Sequence, residues 1–149
     1  MTIRTKALMA AVAAMTLGAA ACTQAEQEKT VQRLFHAARR NRLEFLLEVI
    51  PSKVGACDDE TTAKIIERFY EIGVYPDWWK LEPMKTTASW ANACNAIERN
   101  DPNTRGIVVL GLDAPQAELE ASFQLAAGFD LVKGFAVGRT IFGDAARKW

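Results

Sequence analysis

Trp78-Trp79-Lys80-Leu81-Glu82-Pro83 is the stretch on which the fold turns. Trp78–Leu81 has the length of a buried strand, and Glu82-Pro83 ends it, because proline pushes the residue before it away from helical angles. Side chains alternate across a strand, so Trp78, Lys80 and Glu82 share one face while Trp79 and Leu81 take the other. A lysine in the middle of such a strand is costly unless paired or neutral, and function is the usual reason to keep one.

Working outward, the pattern alternates. Residues 27–41 predict an amphipathic helix with Val31, Leu34, Phe35 and Ala38 on one face, closed by Arg39 and Arg40. Residues 43–50 form an apolar, strand-length run ended by Pro51. Residues 59–72 predict a helix, with Asp58 or Asp59 as N-cap and Gly73 just past its end. Beyond Pro83 come a helix over 87–98, a strand over 106–112, a helix over 117–127, a strand over 131–137, and the start of a further helix over 143–149.

Strands that alternate with helices of this length form βαβ units and a parallel sheet. The expected class is α/β. A doubly wound sheet needs a Gly-rich turn after its first strand, which Ile50-Pro51-Ser52-Lys53-Val54-Gly55 does not supply. A (β/α)-barrel (TIM barrel) fits better, with the C-terminal half and its four βα units present, since a full barrel takes about 250 residues. The outer strands of an open half barrel expose unpaired edges that seek partners. A homo-oligomer, a half-barrel partner supplied elsewhere, or a truncated gene product would each account for the shortfall.

Composition narrows the function. The chain has 149 residues, half of them hydrophobic, with 18 basic and 18 acidic side chains. That is enough for one domain with a core, and it lacks the basic footprint that nucleic-acid binding requires. Arg4 and Lys6 precede an apolar run over 7–21 that ends at Cys22 and gives way to a polar spacer over 23–30. The layout over 1–22 is that of a signal peptide, and the run falls short of the ~20 apolar residues of a membrane span. Leu17-Gly18-Ala19-Ala20-Ala21-Cys22 resembles a lipoprotein cleavage box with Cys22 lipidated, although Ala19-Ala20-Ala21 also suits ordinary signal peptidase. Export to the cell envelope is the expectation from this segment, with an unprocessed helix or a misjudged start as alternatives; any membrane contact would be through a lipid on Cys22.

Cys57 and Cys94 are far apart and have no companion ligand at metal spacing, so neither a metal site nor a cofactor is expected. His36, the single histidine, lies on the early helix, away from any nucleophile.

The chemistry concentrates near Lys80. In the preceding strand Glu44, Leu46, Glu48 and Ile50 share a face, and neighbouring strands lie roughly 4.8 Å apart. Glu48 and Lys80 both fall near the carboxyl ends of their strands, where barrel enzymes keep their sites. A desolvated lysine attacks a ketone as the free amine, and an adjacent carboxylate moves the protons of imine formation and carbon–carbon cleavage. A register-fixing ion pair is the structural alternative. Lys133 competes but sits near the amino end of its strand, on the expected face of Leu131, Phe135 and Val137. Glu82, on the Lys80 face, joins Asp113, Gly138 and Arg139 as expected substrate contacts, the Gly138-Arg139 turn being suited to phosphate.

Three segments carry a resemblance: Leu43-Glu44-Phe45-Leu46-Leu47-Glu48-Val49-Ile50-Pro51, Trp79-Lys80-Leu81-Glu82-Pro83, and Lys133-Gly134-Phe135-Ala136-Val137-Gly138-Arg139-Thr140-Ile141-Phe142. Over residues 31–149 the chain resembles the aldolase-like domain fused behind bacterial 5-dehydro-2-deoxygluconokinase in myo-inositol catabolism. That domain is similar to the tagatose-bisphosphate aldolase family of class I barrels. The resemblance implies cleavage of 5-dehydro-2-deoxy-6-phosphogluconate to dihydroxyacetone phosphate and malonate semialdehyde. Lys80 matches the Schiff-base lysine, Glu48 the acid/base glutamate, and Gly138 and Arg139 the phosphate-holding strand end. Phosphorylated sugars imply the cytoplasm, against the export layout. A non-catalytic phosphosugar-binding module and an inactive remnant of the barrel are the alternative readings.

Overall fold

A computed structural model describes residues 9–11, 24–111 and 116–136. The elements alternate: β1 (Met9–Ala11), α1 (Gln24–Arg40), β2 (Phe45–Val49), α2 (Thr61–Glu71), β3 (Trp78–Leu81), α3 (Thr87–Asn100), β4 (Gly106–Leu110), α4 (Gln116–Ala126) and β5 (Val132–Ala136). A 3-10 turn, Pro51–Lys53, follows β2. The strands form one parallel sheet in the order β1-β2-β3-β4-β5.

That order explains where the helices go. Each connection between parallel neighbours is right-handed, so steps taken in one direction put every crossover helix on the same side of the sheet. Phe45, Leu47 and Val49 of β2, Trp79 and Leu81 of β3, and Ile107 and Val109 of β4 accordingly share one core with Val31 and Phe35 of α1, Ile66 and Phe69 of α2, and Trp90 and Ile97 of α3. Trp79 is fully buried, 5.6 Å from the Tyr70 ring, and donates its indole N–H to the Tyr70 hydroxyl at 3.0 Å. The opposite face, bearing Glu48 and Lys80, is free of the described helices. The result is an α/β fold of the partial-barrel kind.

The structure departs from the expectations at several places. The sheet holds a strand beyond the four expected: Met9–Ala11, within the apolar run read as a leader, pairs with β2 through Met9↔Phe45, Ala10↔Leu46 and Ala11↔Leu47. The expected spacer over 23–30 is largely helix, because Gln24 and Glu28 hydrogen-bond at 2.8 Å one turn apart and no proline intervenes. Neither Asp58 nor Asp59 is the N-cap of α2; that position is Glu60, with no side-chain cap. Asp58 instead accepts from the Glu60 N–H and the Thr61 hydroxyl, and Asp59 accepts from Thr86 and Ser89 at the start of α3. Thr86 is the N-cap of α3, accepting from the Ser89 N–H at 3.0 Å.

The pairing of β4 with β5 is irregular between Ile107 and Val108, which skips Lys133. Phe135 therefore stacks on Phe123 of α4 at 5.1 Å, while the Lys133 stem crosses Gly106, and Lys133 and Phe135 do not share the expected face.

Candidate active site

Glu48 and Lys80 are direct register partners on β2 and β3, so their side chains leave the helix-free face at one level. The Lys80 Nζ lies 2.8 Å from Glu48 Oε1. The side chains are unequally accessible: that of Glu48 is 7% exposed, that of Lys80 22%. The carboxylate is thus the more enclosed of the two side chains.

Glu82 follows Lys80 at the carboxyl end of β3 and is buried. Ser52 lies in the first turn of the 3-10 helix, where its N–H has no intrahelical acceptor and is free to donate. Ser52 therefore gives Glu82 two hydrogen bonds, from its N–H at 3.0 Å and its hydroxyl at 2.6 Å. Cys57 Sγ lies 3.9 Å from the same carboxylate. Burial first, then the charges of Glu82 and Asp58, push the Cys57 thiol up from its ordinary range. Ser52 and Cys57 escaped sequence reasoning; the proline-serine step after a strand end was the available signal for Ser52.

At the amino ends of the strands, Glu44 lies just before β2. It accepts from the Trp78 indole N–H at 3.1 Å and pairs with Arg105 at 2.8 Å. This network faces a shallow cleft of about 310 Å³ lined by Arg39, Arg42, Leu43, Glu44, Asp77 and Arg105. Lys133 is exposed there, donating to the Asp130 carbonyl at 2.7 Å. His36 is exposed on α1. Cys57 and Cys94 are unpaired; Cys94 is on the buried face of α3, and desolvation pushes its thiol up to about 11. Asp113, Gly138, Arg139, the lipidation candidate Cys22 and the helix expected from Gly143 all lie outside the described residues. Among the described residues no cluster of three or more His, Cys, Asp or Glu side chains is placed to hold a metal, and no helix is long and apolar enough to cross a membrane.

The family model described as "Uncharacterized protein conserved in bacteria (DUF2090)" matches residues 12–149. The chain belongs to this family. Among solved structures it is similar to Cgl0159 of Corynebacterium glutamicum, with a TM-score of 0.60 and 19% identity over 82% of this chain. The match covers 41% of that protein, so this chain spans about two fifths of it, and the likeness is one of fold. None of the curated proteins matches the chain.

Proposed function

We propose that this DUF2090 protein is a class I aldolase that cleaves a phosphorylated keto sugar acid through a Schiff base on Lys80. The single observation that carries this reading is the 2.8 Å contact between a lysine amine and a more enclosed carboxylate near the carboxyl ends of adjacent parallel strands. The resemblance of the three sequence segments supplies the substrate, 5-dehydro-2-deoxy-6-phosphogluconate.

The chemistry follows from the two groups. The Lys80 amine, having passed its proton to Glu48, attacks the ketone carbon; the carbinolamine then loses water to give an iminium. The positive nitrogen draws electrons from the bond two carbons away. Glu48 takes the proton of the hydroxyl on the far carbon, that carbon becomes the aldehyde of malonate semialdehyde, and the remaining enamine regains a proton at carbon. Water then releases dihydroxyacetone phosphate and restores the amine. Glu82, Asp113, Gly138 and Arg139 are proposed to hold the substrate. A second copy or a separate half barrel is the proposed means of covering the open face.

Borohydride added with the substrate is expected to leave a covalent adduct on Lys80, found by mass spectrometry, that Lys80→Ala abolishes. Saturable binding with no adduct would instead establish the phosphosugar-binding module. An aggregated or unfolded chain, unaffected by ligand, would establish the inactive remnant.

A further inference from the structure

The helix-free face is built in rows, because residues paired across parallel strands point the same way. The lower row is Leu46, Trp78 and Gly106. Gly106 has its missing side-chain volume filled: a Cβ there would lie 2.6 Å from the Leu131 carbonyl and 2.7 Å from Lys133 Cγ. The Lys133 stem and Trp78 thus close the floor.

The next row is Glu48, Lys80, Val108 and Gly134, one residue from each of β2 to β5. Its two sides differ. Toward β2 the Lys80 amine meets a carboxylate. Toward β5 the row falls from lysine to valine to glycine, and a Cβ on Gly134 would meet no atom of the described residues within 4 Å. The φ of 155° at Gly134 favours glycine through the backbone, yet the space above it is free of the described residues, unlike that above Gly106. The result is a floored slot beside Lys80, about 10 Å across from the β3 to the β5 backbone. Among the described residues, Val108 and Gly134 line it at this level and carry no charge.

Resting on the Schiff-base reading, we infer that Gly134 and Val108 are specificity-determining residues: the carbon chain of the Lys80 substrate runs over them toward β5. The slot selects an open-chain ketose or keto acid long enough to cross two strands. A three-carbon ketone reaches the lysine without entering it.

The test is borohydride trapping on the full chain with two probes, hydroxyacetone and 5-dehydro-2-deoxy-6-phosphogluconate. Gly134→Val fills the slot from β5, and Val108→Phe fills it from β4 without altering a glycine. Both variants are expected to keep the hydroxyacetone adduct within about twofold and to lose the long-substrate adduct by about tenfold or more. Retained hydroxyacetone trapping doubles as the check on folding. Variants that trap both probes as wild type does would overturn the slot while leaving Lys80 chemistry standing. Variants with native circular dichroism that trap neither probe would also overturn it, because the row would then obstruct the lysine itself. A wild-type chain that traps neither overturns the slot and the aldolase reading together.

Discussion

Removing one partner of the Glu48–Lys80 pair is expected to cost unequal amounts. The Glu48 side chain is 7% exposed and the Lys80 side chain 22%. Lys80→Met leaves an enclosed carboxylate without its cation, a change of the kind that costs about 3 kcal/mol. Glu48→Gln leaves an ammonium that still reaches water, so its cost falls to about 1–2 kcal/mol. The double variant removes both charges and recovers part of the loss, giving a coupling energy on the order of 2 kcal/mol in a double-mutant cycle. Urea unfolding followed by tryptophan fluorescence is the assay. With a slope of about 2 kcal/mol/M, Lys80→Met moves the midpoint down by roughly 1.5 M. Equal losses for the two single variants, or a coupling below about 0.5 kcal/mol, would refute the claim that the carboxylate is the more enclosed partner.

Three further outcomes are expected. The hydroxyls of Ser89 and Thr86 hold the Asp59 carboxyl below its ordinary range, so the folded chain binds that proton less readily than the unfolded one. Its contribution is complete above the ordinary value near ~3.9 and is lost as pH falls through the lower folded value; Asp59→Asn should flatten acid unfolding in that window, read by circular dichroism. Glu82→Gln removes a charge that raises the Cys57 thiol, and should speed alkylation of Cys57 by iodoacetamide at pH 8, followed by mass spectrometry; an unchanged rate would separate the two residues. Gly106→Ala drives a Cβ against the Leu131 carbonyl and the Lys133 stem at a φ of 130°, and should lower stability by about 2–3 kcal/mol in thermal melts.

The sequence by itself determined the alternation of strands and helices, the parallel sheet and the bounds of β3, because apolar periodicity and proline stops act over a few residues. It also brought Lys80 and Glu48 to corresponding strand ends, since side-chain alternation is a local property. Tertiary structure alone decided the rest. The added strand Met9–Ala11 is chosen by pairing with β2, not by its own composition. Asp59 clasps Thr86 and Ser89 rather than capping α2, and Ser52 and Cys57 gather around Glu82, because loops distant in sequence meet only once the strands are in register. The irregular pairing at Ile107 and Val108 parts Lys133 from Phe135, and Gly134 was its one local sign. Local pattern fixes what each segment can be; which side chains meet is fixed by hydrogen bonds between segments, and a shift of one residue in those sends every side chain to the other face.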